Sequence, residues 1–180
     1  MKPAERGLRL LDVKAADTVF IDGGAGGVGA MAVQMAVARG ATVIASAGSG
    51  NQDYLREIGA VPVLYGPGVA DRVRVAAGGP VQAVFDVAGK TPAEELISLV
   101  PSPSPSQVVT VANFAAAQIG VRVTGGGGDS RAMQALAEVA GLLAQNRLVV
   151  KVQTFPLHQA AEAYRISQAG HVQGKLVLVP

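Results

Sequence analysis

The sequence predicts an α/β protein: a doubly wound parallel sheet of six strands in the order 3-2-1-4-5-6, followed by a C-terminal αβ/αβ extension. Two observations carry this expectation. Short, β-branched, almost continuously apolar runs alternate with helix-like segments, as strands covered on both faces require. A glycine-rich loop, Gly23-Gly24-Ala25-Gly26-Gly27-Val28-Gly29, lies directly behind the first of those runs.

The strands are expected at residues 18–22, 42–46, 61–65, 83–87, 107–111 and 121–124. Residues 28–39 read as an apolar helix stopped by Gly40, a residue suited to the position after a helix end. A second helix at 52–58 is closed by Gly59. Thr91-Pro92-Ala93-Glu94 reads as an N-cap, a proline in the first turn and a capping-box glutamate, opening a helix to residue 100. Pro101-Ser102-Pro103-Ser104-Pro105-Ser106 then forms a stiff connector, because proline fixes φ and removes backbone donors. Gly125-Gly126-Gly127-Gly128 ends the sixth strand and leads through Asp129-Ser130 into a helix reaching residue 146. That helix carries Met133, Leu136, Val139, Leu142 and Leu143 on one face. A strand at 149–155, a helix at 157–168 and a strand at 175–179 complete the chain.

The glycine loop contains G-x-G-x-x-G at Gly24, Gly26 and Gly29, set between a strand and a helix. That is the arrangement of a Rossmann-type dinucleotide site. Gly24 makes the tight turn, the bare Gly26 and Gly27 let a pyrophosphate approach the backbone, and Gly29 lets helix and strand pack closely. The amides of the first helical turn, at Val28 and beyond, face the anion. Cofactor choice falls to the end of the second strand. An NAD site usually has an acid there to accept from the ribose 2′-hydroxyl. This chain reads Ile44-Ala45-Ser46-Ala47-Gly48-Ser49, with no acid, and Asp53 comes too late. A 2′-phosphate is therefore admitted. The hydroxyls of Ser46 and Ser49 can donate to it, each such bond being worth roughly 1.5–3 kcal/mol. NADP(H) is the expected cofactor ahead of NAD(H).

Composition narrows the class. Hydrophobic residues make up 49% and charged residues 16%, a globular balance rather than a disordered one. The net charge of +2 without a basic cluster gives no reason to expect nucleic acid. There is no cysteine, so disulfides and thiolate zinc sites are excluded within this chain, and His158 and His171 leave little for a metal. The apolar stretch at 29–47 is interrupted by Gln34, Arg39 and Gly40, so no membrane span is expected and a cytoplasmic location is the default. Asp22 is expected to bond loop amides, Asp86 to form a turn, and His171 and Lys175 to flank a surface turn. Tyr164 with Gln168 does not form the Tyr-x-x-x-Lys pair of short-chain dehydrogenases.

Taken in order, several segments resemble the nucleotide-binding and C-terminal part of the medium-chain dehydrogenase/reductase family, in its zinc-independent quinone oxidoreductase branch. They are residues 11–19, Ala25-Gly26-Gly27-Val28-Gly29, Arg39-Gly40-Ala41-Thr42-Val43-Ile44 and Phe85-Asp86-Val87-Ala88-Gly89. Toward the end come Phe155-Pro156-Leu157, Ala160-Ala161-Glu162-Ala163-Tyr164 and Gly174-Lys175-Leu176-Val177-Leu178. The resemblance implies that Tyr65 meets the adenosine phosphate and that Asn113 lies in a turn near the nicotinamide. Three positions depart from the family: Ala16 and Ala112 replace glycines, and Gln52 stands where a lysine is frequent.

The resemblance also implies two parts, a dinucleotide-binding domain at 1–125 and a C-terminal segment at 126–180 that in relatives returns to an upstream substrate domain. This chain reads as part of a longer oxidoreductase. Such an enzyme would pass hydride from NADPH to a quinone or an α,β-unsaturated carbonyl, small-molecule acceptors. No catalytic residue is identified here. The alternatives are a non-catalytic nucleotide-binding module and the cofactor domain of a zinc-dependent alcohol dehydrogenase. A homodimer formed by pairing of sixth strands is expected from the same resemblance.

Overall fold

The computed structural model describes residues 2–102, 104–125, 132–170 and 172–180, without the side chains of 132–134. The glycine run from Gly126, Asp129, Ser130 and His171 fall outside the described residues, as does the side chain of Met133. Six parallel strands pair in the expected order. They are β1 (Thr18–Asp22), β2 (Thr42–Ala47), β3 (Val61–Leu64), β4 (Ala83–Asp86), β5 (Val108–Thr110) and β6 (Arg122–Val123). In register, Phe20 lies opposite Ile44 on one side and Val84 on the other, and Asp22 lies opposite Asp86.

The two-residue period of a strand sends successive side chains to opposite faces, and this sheet is packed on both. Val19, Ile21, Val43, Ala45, Ala83 and Phe85 face the core that holds α1 (Lys2–Leu10), α2 (Gly29–Ala38) and α3 (Gln52–Glu57). Phe20, Ile44, Val63, Val84 and Val108 face α4 (Val69–Ala77) and α5 (Ala93–Ile97). Phe20, Ile21, Ile44 and Phe85 are fully buried; burial of each such side chain stabilises the fold by roughly 1.5–3 kcal/mol.

Two helices were not expected from the sequence. α1 is short, polar in mean composition and interrupted by Gly7, so it carries little intrinsic helix signal. It forms because Ala4, Gly7 and Leu8 are buried in docking. A Cβ at Gly7 would overlap the Phe85 ring, so only glycine lets this helix lie so close. α4 runs between two left-handed glycines, Gly68 (φ 75°) and Gly78 (φ 60°). Its Val-Arg-Val alternation resembles a strand, but Val69 and Val73, one helical turn apart, both enter the core. A third expectation needs correcting: α5 begins at Ala93, after Pro92 in the N-cap position, with no side-chain cap bond. The Thr91 hydroxyl interacts instead with the Asp22 carboxyl, and Glu95 Oε1 accepts the Ala70 N–H at 3.1 Å.

The C-terminal segment folds back onto α2. α6 (Ala132–Ala144) is tied to it by Arg39, which donates to Glu138 at 3.1–3.2 Å through Nε and Nη2. Gln34 completes the attachment as a backbone mimic, its Nε2 donating to Val149 O (3.0 Å) and its Oε1 accepting Val149 N–H (2.6 Å). Beyond this point β7 (Val152–Pro156), α7 (Ala160–Ala169) and β8 (Lys175–Val179) form a separate two-stranded parallel sheet with its crossover helix. Val152, Leu157, Tyr164, Val177 and Leu178 are exposed there. Among the described residues no helix is long and apolar enough to cross a membrane.

Gly7→Ala tests the docking of α1. Alanine is the better helix former by about 1 kcal/mol, yet overlap with Phe85 should lower stability by roughly 1–3 kcal/mol. Urea unfolding should show that loss, and Phe85→Leu in the same chain should recover part of it. A stabilised Gly7→Ala variant would mean that α1 is not packed on the sheet.

Candidate functional site

A cleft opens at the carboxyl ends of β1, β2 and β4, the edge at which open parallel sheets bind ligands. One compartment of about 260 Å³ is lined by Gly23, Gly26, Ala47, Gly48, Asn51 and Tyr65, among others. An adjoining compartment of about 580 Å³ includes Asp22, Ser46, Tyr65, Lys90 and Gln168.

The loop that floors it is shaped by missing side chains. Gly29 sits against the Gly23 carbonyl so closely that any Cβ would overlap the oxygen. A Cβ at Gly24 would come within 2.6 Å of Ala45 Cβ, so the loop presses on β2. Gly26 is different. Its nearest neighbour in that direction is 3.8 Å away, leaving the face open toward the cleft. Val28 occupies the N-cap position of α2 with no side-chain cap; the Ala30 amide already donates to Gly26 O at 2.8 Å, so an anion would be met by the other amides of that turn. The loop thus fits a dinucleotide pyrophosphate on its own geometry.

The remaining predicted residues are placed unevenly. Tyr65, half exposed at 50%, stands in the cleft wall just after β3, its N–H donating to Ala47 O at 3.2 Å. Ser46 is fully buried, and its hydroxyl donates to Asp22 Oδ1 while accepting the Gly23 N–H at 2.9 Å. That proton is directed into the protein. Ser49 is exposed at the start of a single 3-10 turn and lines neither compartment. Asn113 follows β5, its N–H held by Thr110 Oγ1 at 2.9 Å, and it too lies outside both compartments. Gln52 donates to the carbonyls of Ala47, Gly48 and Val63 at 3.0–3.2 Å, bracing the end of β2. Asp53, 93% exposed in its side chain, pairs outward with Arg56.

The two strand-end carboxyls differ in their environments. Asp86 accepts from Ala88 N, Gly89 N and Thr110 Oγ1 at 2.7–3.0 Å, the turn-forming role expected of it. Asp22 does not bond loop amides as expected. Ser46 stands between them, and Asp22 Oδ2 is buried without a hydrogen bond. Burial pushes the Asp22 carboxyl above its ordinary value of 3.8, partly offset by the Ser46 and Thr91 hydroxyls and reinforced by Asp86 and Glu95.

Lys175 is exposed, the surface place expected of it, and it lines neither compartment. It opens β8, yet its side chain lies over Gly27, where a Cβ would overlap it. Gly174 N–H donates to Ala25 O at 3.2 Å, and Gln173 Nε2 donates to Asn51 Oδ1 at 2.8 Å, so the segment before β8 is stitched onto the loop. The only hint in the sequence was the Gly-Lys pair before the last strand. Its approach to a loop near the other end of the chain is a product of tertiary folding. Among the described residues, no three His, Asp or Glu side chains gather as a metal site.

The chain belongs to the zinc-binding dehydrogenase family, whose model matches residues 58–178. Solved structures are similar over almost all of it. A quinone oxidoreductase from Coxiella burnetii is 29% identical with a TM-score of 0.79, over 98% of this chain and 57% of that one. A putative alcohol dehydrogenase from Sinorhizobium meliloti 1021 is 28% identical with a TM-score of 0.81, over 98% of this chain and 52% of that one. An NAD-dependent alcohol dehydrogenase is 26% identical with a TM-score of 0.79, over 97% and 54%. No curated protein matches in sequence. The chain therefore spans little more than half the length of these structures, and it corresponds to the nucleotide-binding part of this oxidoreductase family.

Two stability experiments follow. Gly29→Ala should destabilise by about 3 kcal/mol, because backbone must move to make room, whereas Gly26→Ala should cost less than about 1 kcal/mol. Equal losses in thermal unfolding would contradict this loop geometry. For Asp22, the folded-state value lies above the unfolded 3.8, so both states are neutral below 3.8. As pH rises from there to the folded value, the unfolded chain ionises first and stability falls, levelling off above it. Asp22→Asn should lack that slope, so its stability relative to the natural chain should rise across the window and then plateau. Parallel denaturation curves from pH 3.5 to 7 check the sign.

Proposed function

We propose that this chain is the NADP(H)-binding part of an oxidoreductase that transfers hydride to a quinone or an α,β-unsaturated carbonyl. The observation that carries the reading is the open face of Gly26 beside the uncapped start of α2, at the carboxyl edge of the sheet. A bound nicotinamide dinucleotide would supply the hydride; the protein binds it, orients it and excludes water. Gly26 and the first-turn amides of α2 would hold the pyrophosphate. Tyr65 stands in the wall where the adenosine end would lie.

The preference for NADP(H) rests on the absence of an acid at the end of β2, with Asp53 turned outward. Ser46 supports the loop rather than a phosphate, and Ser49 remains the exposed hydroxyl at that strand end. With Gln52 occupied by three carbonyls and no arginine among the lining residues, discrimination against NAD(H) should be modest. The similarity to an NAD-dependent alcohol dehydrogenase keeps NAD(H) as the second reading. The quinone or enone acceptor is suggested by the Ala-Gly-Gly-Val-Gly loop and by the likeness to a quinone oxidoreductase.

Titration with NADPH and NADH, followed by nicotinamide fluorescence, tests this. Both should bind, NADPH more tightly by about tenfold, the low end of what one charged hydrogen bond gives, because Ser49 is exposed to solvent. Gly26→Asp should abolish binding with the fold intact. A folded chain that binds neither dinucleotide would overturn the assignment.

A further inference from the structure

We propose that Asp22 is a positioning residue of the cleft and that its proton is linked to dinucleotide binding, the neutral carboxyl being the binding form. The inference rests on the reading of the cleft given above and extends it to a buried residue at the cleft's inner edge.

The geometry is a short relay. Asp22 is the last residue of β1 and 1% exposed. Its Oδ1 accepts the Ser46 hydroxyl proton, which fixes that hydroxyl so that its lone pair receives the Gly23 N–H. The Ser46 carbonyl receives the Gly24 N–H at 2.9 Å. The first two amides of the loop are thus held by one serine of β2, whose side-chain orientation is set by Asp22. Gly26 in turn donates to Gly23 O at 3.4 Å, carrying the relay into the face open to the cleft.

The charge environment decides which form suits a ligand. Asp86 lies in register on β4, and Glu95 faces Asp22 from α5. Ser46 and Thr91 contribute neutral hydroxyls, and the nearest cation in the cleft lining, Lys90, is exposed at the rim. No salt bridge to Asp22 is formed among the described residues, and Oδ2 has no hydrogen bond. Ionised Asp22 would therefore be an uncompensated charge behind a loop that must receive an anion. At separations below a Debye length and with little water between, such a charge weakens anion binding about threefold to tenfold. Burial already favours the neutral form, which makes the proton available for this linkage.

The experiment measures NADH affinity by fluorescence across the pH window in which carbon NMR finds the Asp22 carboxyl to titrate, for the natural chain, Asp22→Asn and Ser46→Ala. The Asp22 carboxyl is also followed by carbon NMR with and without NADH. NADH is the probe because it lacks a 2′-phosphate, whose own titration would be superimposed on the profile. In the natural chain, affinity should fall threefold to tenfold as pH rises through the carboxyl's own titration, and NADH should raise that titration point. Asp22→Asn should bind with a flat profile. Ser46→Ala should move the midpoint upward, since the lost hydroxyl favours the charged form. Identical profiles in the natural chain and Asp22→Asn, or a carboxyl titration that NADH leaves in place, would overturn the proposal while leaving the dinucleotide site standing. Absence of NADH and NADPH binding at every pH would remove both. Should Asp22→Asn fail to fold, the NMR shift in the natural chain decides.

Discussion

Much of this structure depends on a single close approach, that of Gly29 to the carbonyl of Gly23. No side chain fits between them, so the chain can leave β1, turn and begin α2 within a few residues. The turn places α2 against the centre of the sheet, where residues from Gly29 to Ala36 are all buried. Gly24 tightens the same junction from the β2 side. α2 then becomes the platform for the rest of that face: α1 docks beside it, Gln34 clamps Val149, and Arg39 holds Glu138. A larger side chain at Gly29 would disturb a packing arrangement as well as a ligand cradle.

The same edge of the sheet carries two aspartates in register, and their contrast shows how local partners decide a residue's part. Asp86 has three good donors and spends its charge on closing a turn. Asp22 has Ser46 and a buried, unbonded second oxygen, an arrangement that disfavours ionisation. Two residues of one type, one strand apart, thus have different electrostatic roles.

The C-terminal segment of the chain is attached in two ways. α6 and the residues after it are secured by buried or bidentate polar contacts and share the core of the first sheet. The β7–β8 unit meets the glycine loop through Gly174 and Gln173 and leaves several apolar side chains exposed. A two-stranded sheet buries little surface by itself. The comparison with solved structures fits that picture, because this chain spans 57% of the length of one and 52% of another.

The sequence by itself determined the strands, because continuous apolar runs are the local signal of a sheet covered on both faces, and their alternation with helices pointed to the doubly wound arrangement. It also determined the loop, because G-x-G-x-x-G at Gly24, Gly26 and Gly29 is written within six residues; Gly24 and Gly29 answer steric demands and Gly26 leaves its face open. Tertiary structure decided the rest. α1 carries little helix preference and exists through its contact with Phe85, which is remote in sequence. α4 has a strand-like alternation that packing overrides. Ser46 looked like a phosphate donor until Asp22, a neighbour only across the sheet, claimed its proton. Lys175 is exposed as expected, and only the fold shows that its side chain lies over Gly27. Spacing along a chain reports steric and periodic constraints, whereas the partner of a polar side chain is settled only when distant segments are brought together.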